Sequence, residues 1–367
     1  MMRSRDDTTA HDEHDDRRWS IPASWYTSSR IAALERARVF GASWAWACHE
    51  DDVGAPGSWV AGTAGDLPWV VVRGADGELR AFANVCRHKA ALVCEGRGRA
   101  ERLVCPYHGW AYRLDGTLAS APRAAGMLGR GLAAADLALP RLGLTRFGPF
   151  VLVHRDAAAI DAPLAPLASR LWAEPTKGLV AAGRRTWDVR CNWKVFVDNY
   201  LDGGYHVAIV HPSLGAQLAL DAYRTEVHPT WSLQSAPPTA SPDAGARERI
   251  GAGALYAWLW PNIMINRYGP ALDVNLVHPT GPDTCRVEFH FWFDRDRIAD
   301  PDAFIPRSVA QSVVTQDEDV AICERVQLGV ASRTWDRGPL APNVERAIAG
   351  FHRALERALG DDGDATR

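Results

Sequence analysis

The chain has 367 residues, enough for two domains with cores of ordinary size. Hydrophobic residues make up 47% of it and the formal net charge is only −3, so a nucleic-acid partner has no electrostatic support. No apolar run reaches the ~18 residues a membrane-spanning helix needs, so no membrane partner is expected.

Residues 1–20 (MMRSRDDTTAHDEHDDRRWS) are polar and mixed in charge, with neither a signal core nor the acid-poor character of a transit peptide, and read as a disordered tail. The seven cysteines are odd in number and scattered, which argues against a disulfide framework and for a reducing cytoplasm. From about 40 to 155 the pattern is short strands and tight turns. WVVVRG (69–74) and LRAFANV (79–85) read as a hairpin around Asp76-Gly77, and WAYRL-DG-TLA (110–119) repeats the device. A Pro/Ala-rich connection at 158–167 follows. The expected division is a tail over 1–20, an all-β domain with an N-terminal helix over 21–155, and a larger α+β domain over 156–367. In the latter, NWKVFVDNYLDGGYHVAIVH (192–211) starts as a helix and breaks at Gly203-Gly204. The Ala/Pro/Ser/Gly-rich stretch 221–253 reads as a surface excursion between this helix and two β-rich runs, 255–269 and 272–294. Helices over about 302–330 and 342–359 close the chain, the second with Val344, Ile348, Phe351, Leu355 and Leu359 at helical spacing.

Cys86-x-His88 and Cys105-x-x-His108 stand sixteen residues apart on loops of the β module. Structural zinc uses the same donors, but its knuckles usually pair like with like. Here each carries one Cys and one His, which suits a Rieske [2Fe–2S] centre, where two Cys hold one iron and two His the other. Trp110 and Tyr107 are expected to pack over such a cluster, and Cys94 to be a small buried hydrophobe.

A cluster of that kind moves single electrons. His206 and His211, beside the Gly-Gly break, suggest where they are used, because two His and one carboxylate bind Fe(II) on one face and leave the other open. The acid should come from QDEDVAICERVQ (316–327), where spacing alone does not choose among Asp317, Glu318, Asp319 and Glu324.

The motifs CRH, CPYHGW, NWKVFVDNYLDGGYHVAIVHP and QDEDVAICERVQ together resemble the α subunit of Rieske non-haem iron oxygenases, the aromatic-ring-hydroxylating family, over nearly the whole chain from Ser24. Within it the likeness is closest to the choline monooxygenases, on DNYLDGGYHV, MINRYG and an ED-x4-E-x-VQ-x-G helix. The resemblance implies an all-β Rieske domain followed by a helix-grip α+β domain with an antiparallel sheet. It implies His206, His211 and Asp319 as iron ligands, with Glu324 as the motif's second acid. It implies a head-to-tail homotrimer, with Asp202, or in competition Asp198, bridging to the neighbour's cluster, and Asn199 as a catalytic-site residue on the same helix. A ferredoxin or NAD(P)H-dependent reductase would supply electrons, since the chain has no nucleotide fingerprint. O2 and the small-molecule substrate would meet at the iron, and a C–H bond would be hydroxylated.

Choline would need aromatic faces. Tyr256, Trp258 and Trp260 share one strand face, with Tyr268 nearby, and the same face could instead pack under the C-terminal helix. After MINRYG this chain has Ala271-Leu272 where the choline-type members carry an aromatic. A Rieske oxygenase acting on an aromatic or natural-product substrate is therefore the alternative, and an electron carrier without oxygenase activity the remote one.

Overall fold

Hydrophobic alternation builds the first sheet. In the strand Leu67–Arg73, Val70 and Val72 enter one buried cluster while Trp69 and Val71 enter another, so the strand is covered on both faces. The structure, a computed structural model, describes residues 18–124, 132–158, 164–174, 176, 178–242 and 244–360. Positions 1–17 of the expected tail, and part of the 158–167 connection, lie outside these residues.

The first sheet has seven strands, ordered 45–49, 150–154, 141–147, 79–83, 67–73, 58–64, 97–99. A three-stranded sheet (102–104, 111–113, 118–120) stands on it and carries the second Cys/His loop at its first turn. Both expected hairpins form, with Gly77 and Gly116 at φ +84° and +89° in their turns.

The second domain is built on an antiparallel sheet ordered 179–189, 285–294, 271–279, 263–268, 254–259, 231–236, 224–227. From 224 onward the chain meanders strand by strand back toward the edge strand Leu179–Val189. The segment joining that edge strand to Arg224–Val227 must therefore cross the sheet, roughly 30 Å at the usual strand spacing. It does so through the helix Trp193–Tyr200 and the short helix Val207–Val210. One sheet face packs against these helices, Pro301–Ala331 and Arg346–Leu359. The other packs on Leu167, Leu171, Phe147 and Phe150.

Two expectations are corrected. The stretch 221–253 is not a surface excursion: Trp231–Ala236 is a buried strand of the sheet, and Ala244–Ile250 is a helix with Ala246, Arg249 and Ile250 buried. Composition misleads there because the strand alternates buried polar and apolar residues: Ser232 and Gln234 are each 1% exposed. The helices over 23–38, grouped above with the first domain, pack into the second: Trp25, Tyr26 and Ile31 share a core with Trp193 and Phe351. Glu35 seals that contact, accepting from Lys194 Nζ at 2.6 Å and Trp193 Nε1 at 2.8 Å, all three residues buried.

Candidate metal centres and the cavity beside them

The two Cys/His loops share one backbone. Cys86 N–H donates to Ala91 O (2.8 Å) and Ala90 N–H to Cys86 O (3.0 Å); Cys105 N–H donates to Trp110 O (2.8 Å) and Gly109 N–H to Cys105 O (3.0 Å). Ala90 and Gly109, at equivalent positions, both have positive φ (58° and 70°). The repeated turn buries both cysteines and leaves both histidines exposed, with the rings of His88 and His108 4.6 Å apart. Trp110 stacks on His88 (5.0 Å, 5°), and Tyr107 lies 3.8 Å from His108. Tyr112 Oη is 3.3 Å from Cys86 Sγ and accepts from Arg87 N–H. Cys94 is buried, its backbone held by Asn84, and burial pushes its thiol up to about 12.

Tetrahedral zinc would draw its four donors to within about 4 Å of one another. Among the described residues only His206, His211 and Asp319 offer three such donors within 4.8 Å, so the Cys/His quartet does not close on a single ion. Two sulfurs inside and two imidazoles outside, on twin loops, fit a two-iron cluster.

His206, His211 and Asp319 converge from two elements. Asp319 Oδ1 lies 3.0 Å from His211 Nε2 and 3.7 Å from His206 Nε2. The other ring nitrogens are occupied: His206 Nδ1 meets Asp202 Oδ2 at 2.6 Å, and His211 Nδ1 meets Glu318 Oε2 at 2.7 Å. Such bonds fix which nitrogen faces the shared point and raise its basicity. Asn199 Nδ2 donates to Asp319 at 2.6 Å. Burial pushes the His211 imidazole down, but the Asp319 and Glu318 carboxylates outweigh it and lift it above its ordinary range. Three acids about two histidines suit a cation.

Gly203 and Gly204 make this possible. Their φ values are +72° and +78°, and a Cβ on Gly203 would stand 2.1 Å from Val344 O. The turn folds Asp202 back so that its carboxylate also accepts from the backbone N–H of Gly204, Tyr205 and His206. Asp198 points elsewhere, accepting from Tyr26 Oη (2.6 Å) and meeting His352 Nε2 (2.9 Å). Of the other acids, Asp317 accepts from Trp187 and Glu324 pairs with Arg190.

A cavity opens beside the triad, with Tyr200, Tyr223, Tyr256, Tyr268 and Phe289 among its walls. Burial keeps these phenols protonated; that of Tyr256 is pushed up to about 12. Trp258 and Trp260, expected in the pocket, are not in it. Both rings pack on Phe351 of the C-terminal helix (5.5 and 6.2 Å), because that helix covers the strand face beyond Tyr256. Ala271 and Leu272 are core residues that do not line the cavity either. Sequence reasoning missed Tyr223, Gln234 and Arg249, all within the stretch taken for an excursion.

Comparison with known proteins agrees with this layout. The Rieske [2Fe-2S] domain family matches residues 43–136, and the ring hydroxylating alpha subunit (catalytic domain) family matches 177–361. The chloroplastic choline monooxygenase of Arabidopsis thaliana is 38% identical over 92% of this chain and 82% of its own length. The carnitine monooxygenase oxygenase subunit of Escherichia coli (strain K12) is 30% identical over 94% of each. A solved quaternary ammonium Rieske monooxygenase, described for carnitine oxidation and inter-subunit electron transfer, superposes with a TM-score of 0.81 at 26% identity, over 93% of this chain and 96% of that one. The chain belongs to the Rieske ring-hydroxylating oxygenase family, as an α subunit of an oxidoreductase.

Proposed function

We propose that this α subunit is the oxygenase component of a monooxygenase system that hydroxylates a C–H bond of choline or a related quaternary or tertiary amine. The observation that carries this reading is the convergence of His206, His211 and Asp319 on a tyrosine-walled cavity. Neutral aromatic faces attract an ammonium that has no hydrogen to donate. The choline and carnitine relatives favour an amine over the aromatic or natural-product alternative.

In this reading Cys86, Cys105, His88 and His108 would hold a [2Fe–2S] cluster, and His206, His211 and Asp319 a mononuclear iron. The bound metals would supply one-electron transfer and the activation of O2. The chain's own residues do the rest. Asp202 and Glu318 hold the Nδ1 protons of the two histidines and aim each Nε2 inward. Asn199 fixes the Asp319 carboxylate, while Tyr256, Tyr268 and Phe289 orient the substrate and exclude water.

Electrons would come from a ferredoxin or NAD(P)H-dependent reductase. A head-to-tail homotrimer would set the exposed His88/His108 tips against a neighbour's iron site, with Asp202 as the bridge. Tyr107 beside one site, and Tyr205 and Ile209 beside the other, are 60%, 64% and 84% exposed, and a second copy would cover them. Asp198, committed to Tyr26 and His352, is the weaker bridge. All seven cysteines are unpaired and buried, in keeping with a reducing compartment, which we take to be the cytoplasm. No helix among the described residues is long and apolar enough to cross a membrane. We keep the division near residue 155, with the helices at 23–38 serving the catalytic domain.

The test is a single turnover. Protein reduced anaerobically is mixed with choline and O2, and the products are read by mass spectrometry. Betaine aldehyde or its hydrate, up to one equivalent per site, is expected. Full iron and a reducible cluster with no product from choline or any other quaternary or tertiary amine would overturn the amine reading.

A further inference from the structure

The cavity wall holds polar groups that the fold leaves unused. Gln316 is 1% exposed, lines the cavity, and has no partner for either Oε1 or Nε2. A buried primary amide without partners is costly unless a ligand supplies them. Arg249, 7% exposed, also lines the cavity. Its guanidinium lies 4.8 Å from the centroid of the Tyr268 ring, and Nη2 donates to Ser312 Oγ at 3.2 Å, while Nε has no partner. Asp273, whose field reaches Arg249, is already bonded by Asn266 Nδ2 (2.7 Å) and Tyr268 Oη (3.1 Å). Arg249 also borders a second, polar space with Gln217 and Ser308, so it forms the wall between the two.

Helix geometry gives the scale. Ser312, Gln316 and Asp319 fall at i, i+4 and i+7 on Pro301–Ala331 and face one cavity. At 1.5 Å per residue, Gln316 stands roughly 4.5 Å and Ser312 roughly 10 Å along the axis from Asp319. Along this helix the cavity wall passes from Asp319, by the unpaired Gln316 amide about one turn away, to Ser312 and the Arg249 guanidinium bonded to it.

We propose that Arg249 and Gln316 form an anion-recognising end of the substrate cavity, and that the preferred substrate is a zwitterion, a quaternary ammonium carrying a carboxylate a few bonds away. This rests on the amine reading above. A substrate carboxylate matches the guanidinium fork and accepts from the Gln316 amide, while Asp202, Asp273 and Asp319 in the same lining suit the ammonium. Choline, ending in a neutral hydroxyl, does neither as well.

The test is a calorimetric titration of the iron-loaded full chain, without O2 or reductant, with three probes of like shape. They are 4-(trimethylammonio)butanoate, its primary alcohol (4-hydroxybutyl)trimethylammonium, and the uncharged-head isostere 5,5-dimethylhexanoate. The wild type is expected to bind the zwitterion about tenfold or more tighter than the alcohol. Arg249→Gln is expected to shrink that ratio to about threefold or less, with Arg249→Lys intermediate and Gln316→Leu weakening the carboxylates selectively. Equal binding of zwitterion and alcohol by the wild type would overturn the proposal, and that comparison needs no variant to fold. So would an Arg249→Gln protein, folded by circular dichroism, that keeps the preference, or a wild type that binds none of the three. Arg249-dependent binding of 5,5-dimethylhexanoate without binding of either ammonium would keep the anion end and overturn the amine reading instead.

Discussion

The two donor sets rest on opposite kinds of scaffold. Cys86, His88, Cys105 and His108 sit on two copies of one local turn, each closed by its own backbone hydrogen bonds, with the histidines turned to solvent. His206, His211 and Asp319 depend on elements far apart in sequence, brought together under a sheet and held by Asp202, Glu318 and Asn199. The first site is a local motif that any β module of the right shape could display, suited to passing electrons at a surface. The second is a property of the whole domain, suited to chemistry that must exclude water.

That contrast can be broken in several places, beginning with the largest effect. Asp319→Ala is expected to abolish turnover and empty the mononuclear site while the visible absorption of the cluster persists. Loss of both together, by metal analysis and absorption, would mean the sites are not separable. Gly203→Ala should destabilise the fold by about 3–5 kcal/mol, from backbone strain at positive φ plus the collision with Val344 O, and thermal unfolding would read it. Asp202→Asn keeps the shape but weakens the support of His206, so turnover should fall about 10- to 100-fold with iron retained. Complete iron loss would instead make Asp202 a ligand.

The twin turns offer a gentler comparison. Gly109→Ala meets only Pro122 Cγ at 3.6 Å, and Ala90 already tolerates the same conformation, so the cost should be about 1 kcal/mol. A value as large as that at Gly203 would remove the distinction between the scaffolds.

The smallest effect is one of pH. Burial, the largest influence on Asp273, lifts its carboxyl to about 6 from an ordinary 3.8. The folded protein then binds this proton more readily than the unfolded chain, so the group's ionisation penalty is fully present above pH 6 and relieved as pH falls toward 4. Relative to Asp273→Asn, the wild type should gain about 1 kcal/mol of stability between pH 7 and pH 5. A gain in the opposite direction in paired denaturant titrations would contradict the burial argument.

The sequence made the first site legible because its signal is local: residue types at short spacing on loops. The helix at 193–200, its Gly-Gly break and both C-terminal helices were legible from periodicity for the same reason. Asp319 was not separable from Asp317 and Glu318 by composition, because neighbours on a helix point about 100° apart and only the tertiary fold says which direction holds the histidines. The strand Trp231–Ala236 was illegible because its buried positions include the polar Ser232 and Gln234, the latter lining the cavity and accepting from Gly203 N–H in the turn. Trp258 and Trp260 were misplaced because face-sharing on a strand does not say what covers each part of the face.

The most direct test of two separate sites in one chain is an iron and acid-labile sulfide determination on anaerobically prepared wild type. Three irons and two sulfides per chain are expected, as a two-iron cluster plus one mononuclear ion demands. Two irons and two sulfides, persisting after incubation with ferrous iron, would contradict a second metal site and leave His206, His211 and Asp319 without a metal.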